Sequence, residues 1–406
     1  MSAPSPRRLI AAPLPVGRPG SLFLLEWESL PRASNSFVGR PASSKLDSPV
    51  CTYPALYQST GPHGAGAHKQ FAMADAAVAE HGYKFIPGPS GSELDFVLRR
   101  TDDESKGFQF EGPDHFAKLA KSTMLWAREK LVTLCGLEAL PGFASSATPY
   151  VTPGLLDKEA PILLLCCGDV PGGDAGTWSR RLLINEGTVT GTMFEYISRA
   201  QQRGWSVIVA DSHAHAGTAS PHAHIIEIWQ KLIAKSKASK LLIVGHSYGG
   251  PNAVGMLKAE PEAVQRLGAL LGTDAMAWGA QDDWSSATLD ENVPTEEEVR
   301  AARANNLEEA LEMRERCASY AKSAPAAFAA PPSEVTQAIA TVGRNFVASA
   351  LPAGTPIRAE QGLLTLVSAG AEEHGATTHA CIDAAFAFLD RGAAGTADAA
   401  NQELRQ

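Results

Sequence analysis

Residues 245–249 read Gly-His-Ser-Tyr-Gly, a G-x-S-x-G pattern centred on Ser247. The apolar run 241–244 before the pattern predicts a buried strand, and residues 251–259 after it predict a helix. A serine at such a tight strand-to-helix turn projects its hydroxyl from the sheet edge, and small residues must flank it because the turn is crowded. The helix N-terminus behind the turn favours developing negative charge. The pattern therefore predicts a nucleophile elbow rather than an incidental serine in a glycine-rich turn.

A serine hydroxyl needs a general base, and the base needs an acid that orients it. His374 follows the last predicted strand, where the base is expected in this chain order, and His379 is the local alternative. Asp274 follows the predicted strand 267–272 and is the preferred acid, with an Asx turn or a helix cap as its structural alternative. The other candidate acids are Asp282, Asp283 and Glu372.

The oxyanion of an acyl-transfer intermediate needs two backbone N–H donors. Tyr248, directly after the serine, is predicted to supply one of them. The glycine-rich loop 168–174, which follows the predicted strand 162–166, is predicted to supply the other through Gly168 and Asp169. The carboxylate of Asp169 would oppose the forming negative charge unless it points away. The glycine-rich backbone of this loop is thus compatible with an oxyanion hole, whereas the negative charge of Asp169 argues against efficient acyl transfer.

Histidines cluster after the predicted strand 205–210. Two H-x-H pairs are present, His213 with His215 and His222 with His224. Four imidazoles can bind zinc, but no cysteine joins this set, so the sequence favours neither a metal nor a cofactor. His224 is interpreted instead as a helix-start residue that faces the active-site cleft. The residues predicted to line this cleft are His224, His246 and Trp178.

The chain has 406 residues with 44 acidic and 35 basic side chains, and 44% of its residues are hydrophobic. This composition is typical of a globular protein with a sizeable core. The net charge of −9 argues against direct binding of nucleic acid over a broad surface. No apolar run approaches the roughly 18 residues of a membrane span. The six cysteines include no C-x-x-C pair, which indicates reduced thiols in an intracellular compartment, cytoplasmic or nuclear.

Helical and strand patterns alternate through the middle of the chain. The predicted buried strands are 162–166, 205–210, 241–244 and 267–272, and the predicted helices are 114–137, 192–203, 223–235 and 251–259. This alternation predicts an α/β fold with a mostly parallel sheet and helices on both faces. A helical insertion over 281–360, including a helix over 332–350, is predicted before the last strand 363–367, and helix 380–389 closes the domain.

The two ends of the chain differ from its middle. Residues 1–72 carry seven basic and three acidic side chains and are rich in Pro, Ser, Ala and Gly. They are predicted to be disordered, with an organelle-targeting leader as the alternative. Residues 73–392 are predicted to form a single domain that begins with two short strands, 83–86 and 107–110. Residues 393–406 are predicted to be a mobile tail.

From about residue 82 to residue 389 the chain resembles the Arb-type domain, the α/β-hydrolase-like domain of the family with sequence similarity 172. Residues 175–186, which read AGTWSRRLLINE, carry the resemblance together with 204–209 and 246–250. Its further motif residues are His224, Ile228, Trp229, Thr273, Asp274, Ser368, Ala369, Gly370 and His374. Members of this family are described as cotranscriptional regulators, and the domain is also found fused to some fungal histone deacetylases.

The resemblance implies an α/β-hydrolase fold, with Ser247 as the elbow serine and with Asp274 and His374 at the matching triad positions. It also implies protein partners in RNA silencing, splicing or chromatin regulation. Where relatives carry His-Gly and then a small residue, this chain has residues 167–169, Cys-Gly-Asp. The sequence therefore predicts a serine hydrolase acting on an ester, thioester or amide of unknown identity, with a non-catalytic scaffold on the same fold as the alternative.

Overall fold

The computed structural model describes residues 66–143, 147–168, 175–212, 221–275, 333–357 and 365–405. Its strands are β1 (Tyr83–Pro87), β2 (Phe96–Arg100), β3 (Glu138–Ala139), β4 (Tyr150–Val151), β5 (Ile162–Cys166), β6 (Ser206–Val209), β7 (Leu241–His246), β8 (Leu267–Thr273), β9 (Gly343–Val347) and β10 (Thr365–Ser368). Its helices are α1 (Gly66–Ala79), α2 (Pro113–Thr133), α3 (Arg180–Asn185), α4 (Thr188–Gly191), α5 (Phe194–Gln202), α6 (Pro221–Ile228), α7 (Gly249–Ala259), α8 (Glu262–Arg266), α9 (Ser333–Val342), α10 (Thr377–Ala380), α11 (Ile382–Ala393) and α12 (Ala397–Arg405).

Eight strands form one sheet in the order β10-β9-β8-β7-β5-β6-β4-β3. Strands β5 to β10 all run parallel to one another, whereas β4 is antiparallel to both β6 and β3. The carboxyl ends of β5, β7, β8 and β10 therefore meet at one edge, where ligands bind in open α/β sheets. This topology is the predicted α/β-hydrolase-like fold. Among the described residues, no helix combines the length and the apolar character needed to cross a bilayer.

The central strands are apolar on both faces because helices cover both sides of the sheet. On β5, Leu163 and Leu165 enter a core formed with α2, α5 and α11, whereas Ile162 and Leu164 enter a second core formed with α6, α7 and α9. All five residues of β5 are buried. This burial on both sides explains why the predicted strands appear in the sequence as continuous apolar runs rather than as alternating patterns.

The predicted helix over 332–350 is wrong in its second half. Helix α9 ends at Val342, and the following residues form β9, which pairs in parallel with both β8 and β10. The polar side chains of Arg344 and Asn345 hide this strand in the sequence, since buried strands are usually apolar. The remainder of the predicted insertion, 281–332 and 358–360, lies outside the described residues.

The N-terminal extension, residues 66–133 with α1, β1, β2 and α2, also differs from the prediction. Strand β1 pairs with β2 in a separate antiparallel sheet, while the predicted second strand, 107–110, has no regular secondary structure. Helix α1 begins at Gly66, inside the segment 1–72 that the composition predicts to be disordered. The rest of that segment, residues 1–65, lies outside the described residues.

The predicted mobile tail, residues 393–406, contains helix α12. The amide of Asn401 is buried and joins this helix to β9, since its oxygen accepts hydrogen bonds from the guanidinium of Arg344 at 3.0 and 3.1 Å. Its nitrogen donates to the carbonyl oxygens of Thr341 and Gly343. Residues 397–405 are therefore packed against the sheet, which corrects the prediction of a mobile tail.

Candidate active site

Ser247 lies between β7 and α7 with a φ of 53°, in the left-handed region that non-glycine residues rarely adopt. A Cβ added to Gly249 would collide with the carbonyl oxygen of Cys166, and one added to Gly245 would lie 2.7 Å from the backbone of α7. The N–H of Ser247 donates to the carbonyl oxygen of Thr273 at 3.3 Å, which ties the turn to β8. These contacts give the tight turn expected of a nucleophile elbow, with the serine side chain partly exposed.

Asp274 and His374 are joined by a hydrogen bond of 2.6 Å between Oδ2 and Nδ1. A carboxylate only accepts, so Nδ1 of His374 carries the hydrogen and Nε2 is left to accept a proton. The second oxygen of Asp274 accepts from the N–H of Ala348 at 3.1 Å. Burial opposes the charge on Asp274, but these two hydrogen bonds hold its pKa below the usual value. The pair therefore consists of a charged carboxylate and an imidazole that it orients.

The backbone that follows Asp274 is held from the neighbouring strand. The side chain of Asn345 on β9 accepts from the N–H of Ala275 at 3.2 Å and donates to its carbonyl oxygen at 3.1 Å. Asp274 has a φ of 46°, and its N–H donates to the carbonyl oxygen of Phe346 at 2.7 Å. The position of the carboxylate is therefore fixed by β9 as well as by its own strand.

The loop that carries His374 packs against the start of α3. Arg181 of this helix forms an ion pair with Glu373. A Cβ added to Gly375 would lie 3.2 Å from Oγ of Ser179, the residue that caps the helix. The side chain of His374 remains 38% exposed, so solvent and small molecules have access to it.

Among the alternatives named from the sequence, Glu372 is exposed and His379 lies on α10. No hydrogen bond in the described part of the chain joins His379 to a carboxylate. Asp282 and Asp283 lie outside the described residues. The structure thus brings together the preferred base and the preferred acid of the sequence analysis.

Gly168, at the end of β5, faces the elbow. A Cβ added to it would lie 2.8 Å from Cβ of Ser247, 3.1 Å from Oγ of Ser247 and 3.1 Å from the backbone nitrogen of Tyr248. The backbone after β5 and the N–H of Tyr248 therefore adjoin the serine hydroxyl, which is where oxyanion donors are needed. Asp169 lies outside the described residues.

The three residues predicted to line the cleft are buried. His224 is fully buried, and its Nε2 accepts a hydrogen bond of 3.2 Å from the N–H of Asp211. His246 and Trp178 are each 3% exposed and lie next to each other, with ring centroids 6.2 Å apart. His224 therefore supports the end of β6, and the other two support the site from within the core. The prediction that these side chains line the cleft is corrected accordingly.

The sequence analysis did not single out a buried ion pair at the neighbouring strand end. Oδ1 of Asp211, two residues after the end of β6, accepts from the guanidinium of Arg128 and from the N–H of Ala175, both at 3.1 Å. Ala175 is the first described residue after the loop 168–174. The carboxylate thus binds the backbone at the point where the described chain resumes. The available signal was an acidic residue shortly after a buried strand, at the ligand-binding edge of the sheet.

No group of three or more His, Cys, Asp or Glu side chains within the described ranges is arranged to hold a metal ion. Of the two H-x-H pairs, His222 and His224 are buried on α6, and His213 and His215 lie outside the described residues.

Comparison with known proteins identifies relatives by sequence. A FAM172 family protein homolog of Caenorhabditis elegans is 29% identical over 172 residues, covering 39% of this chain and 55% of that protein. The cotranscriptional regulator ARB2A homolog of Xenopus tropicalis is 23% identical over 163 residues, covering 25% of this chain and 39% of that protein. The mouse cotranscriptional regulator ARB2A is 24% identical, with the same coverage. No family model matches the chain.

These relatives confirm the resemblance to FAM172 and Arb-type proteins that the sequence shows. The chain spans about half or less of the length of the curated relatives that it matches. Solved structures with a similar fold include that of the histone deacetylase Clr3, which matches with a TM-score of 0.38 and 9% sequence identity. The match covers 70% of this chain and 46% of the Clr3 chain. Esterase LipW from Mycobacterium marinum has a TM-score of 0.28 and 13% identity, with coverage of 41% and 53%.

Proposed function

We propose that the chain is a serine hydrolase that cleaves an ester, thioester or amide through an acyl-enzyme on Ser247. The observation that carries this proposal is the 2.6 Å hydrogen bond between His374 and Asp274. These residues stand 100 positions apart in the sequence, yet they meet at the sheet edge where the elbow serine lies. A structural role does not require a partly exposed imidazole to be oriented by a partly buried carboxylate beside a strained serine.

The proposed reaction has two stages. Oγ of Ser247 attacks the substrate carbonyl carbon, and Nε2 of His374 takes the hydroxyl proton. The resulting oxyanion is bound by the N–H of Tyr248 and by the backbone at Gly168. His374 then gives its proton to the departing alkoxide, thiolate or amine, which leaves the acyl group on the serine. A water molecule, deprotonated by the same imidazole, releases the acid and restores Ser247. Asp274 remains charged and orients the imidazole throughout.

An active-site-directed fluorophosphonate tests the proposal, because it reacts only with a serine whose hydroxyl is activated. We expect labelling of the full chain, no labelling of Ser247→Ala, and labelling of Asp274→Asn slowed by about 10²- to 10⁴-fold, as in other triads. Ser105→Ala is the matched control, since Ser105 is exposed and bonds only to Asp103. Labelling that persists in Ser247→Ala would refute the assignment of the nucleophile.

A second candidate is a non-catalytic scaffold that binds protein partners through the same fold. The names of the relatives favour it, because the Xenopus and mouse proteins are called cotranscriptional regulators. Such a role would place the chain in the nucleus with partners in chromatin, splicing or RNA silencing. The labelling experiment separates the two candidates. A folded wild-type chain that reacts at no pH between 6 and 9 would favour the scaffold.

A further inference from the structure

His246, the last residue of β7, is the immediate neighbour of Ser247. Its Nδ1 lies 2.9 Å from the carbonyl oxygen of Thr273. A carbonyl oxygen only accepts, so this nitrogen carries the hydrogen. The hydroxyls of Thr273 and Thr378 lie 3.1 and 3.2 Å from the same nitrogen and 2.9 Å from each other. This network fixes the rotamer and the tautomer of His246, although Ser247 rather than His246 is the expected nucleophile.

The ring of His246 lies against the ring of His374. Their centroids are 4.7 Å apart, with 32° between the planes, and the indole of Trp178 contacts His246 edge-on at 6.2 Å. His374 is therefore held at Nδ1 by Asp274 and on one ring face by His246. The covalent bond to Cβ and the hydrogen bond at Nδ1 still allow the His374 ring to tilt, and the adjacent ring of His246 limits that tilt.

His246 is suited to this position because it stays neutral. Burial has the largest effect on the pKa of His246 and, together with the facing imidazole of His374, lowers it to about 3. The hydrogen bond to Thr273 and the charge of Asp274 act in the opposite direction but are smaller. The ring next to the proposed base therefore carries no charge at the pH of ordinary assays. A charged neighbour would oppose protonation of His374 during the reaction, whereas the face of a neutral ring attracts a cation.

We infer that His246 is a positioning residue, whose adjacent ring, tilted by 32°, fixes the plane of His374 so that Nε2 of His374 is directed to the Ser247 hydroxyl. This inference rests on the proposed hydrolase function for its effect on rate. The orientation of His374 is a separate claim and is measured without any reaction.

Two substitutions separate stacking from hydrogen bonding. His246→Phe keeps an aromatic face against His374 and loses the N–H, whereas His246→Asn keeps an N–H donor and loses the ring. His81→Asn is the control, since His81 bonds to Ser122 in the N-terminal extension. We expect fluorophosphonate labelling to be slowed tenfold or more in His246→Asn, less in His246→Phe, and not at all in the control. Thermal unfolding of each variant confirms that it is folded.

NMR supplies the readout that needs no activity. In the wild type, the ring protons of His374, assigned by their loss in His374→Gln, should carry a ring-current shift from His246. The shift should persist in His246→Phe and disappear in His246→Asn. Labelling of folded His246→Asn at the wild-type rate, or the absence of the shift in the wild type, would overturn the inference. If the wild type shows the shift but no labelling, the hydrolase proposal fails and the orientation of His374 by His246 stands.

Discussion

Substitution of Gly168 by alanine tests the placement of the predicted oxyanion site directly. The added methyl group would lie 2.8 Å from Cβ of Ser247 and 3.1 Å from the nitrogen of Tyr248. Carbon atoms in good contact are about 3.5–4.0 Å apart, so the two backbones must separate by about 0.7–1.2 Å. Because a misplacement of about 1 Å at a reacting centre costs about 100-fold in rate, we expect fluorophosphonate labelling of Gly168→Ala to slow by at least that factor.

The matched control for this experiment is Gly107→Ala. A Cβ at Gly107 would lie 3.6 Å from the guanidinium of Arg99, an ordinary contact that is part of the N-terminal extension. Labelling rates of the wild type and both variants are measured at the same pH, and thermal unfolding confirms that each is folded. If folded Gly168→Ala reacts as fast as the wild type, the backbone after β5 does not adjoin the attacking hydroxyl, and the oxyanion assignment is wrong.

Three further predictions concern stability and reactivity. Asn401→Ala removes one of the hydrogen-bond acceptors of the buried Arg344 guanidinium and should lower the free energy of unfolding in urea by about 2–4 kcal/mol, whereas the exposed control Gln402→Ala should change it by less than about 0.5 kcal/mol. Burial lowers the pKa of His246 from 6.5 to about 3, so the unfolded chain binds one more proton than the folded chain between these values. The free energy of unfolding should therefore fall by about 1.4 kcal/mol per pH unit as the pH decreases from 6.5 to about 3, and His246→Asn should lack this contribution. Burial raises the pKa of the Cys135 and Cys381 thiols to about 12. Peptide mapping after treatment with iodoacetamide at pH 8 should therefore find neither thiol alkylated in the native protein and both alkylated in urea. Alkylation of either thiol in the native protein would contradict their burial.

The parts of the fold that the sequence predicts are those in which local pattern and burial agree. Strands β5 to β8 are buried on both faces, so each appears in the sequence as a largely hydrophobic run without charged residues. The elbow is predictable for a similar reason. Neighbouring backbone lies so close to the turn that residues 245 and 249 cannot carry a side chain, and the two glycines at these positions show this in the sequence. The order of acid and base along the chain then follows from the fold.

The parts that the sequence does not predict depend on contacts between distant residues. Strand β9 carries Arg344, whose partner Asn401 is 57 residues away, so neither the strand nor helix α12 has an apolar pattern that identifies it. Asp211 and Arg128 are separated by 83 residues, and no local pattern joins them. The ring contact between His246 and His374 likewise forms only after the sheet has assembled.

The pairing of Asn345 with both backbone groups of Ala275 has a consequence for how this protein can diverge. The chain leaves the sheet at Ala275 and re-enters it through β9, and both points are fastened to each other by one amide side chain. An amide side chain supplies both the donor and the acceptor that this pairing uses, so Asn345→Asp or Asn345→Leu would leave a backbone group of Ala275 without its partner.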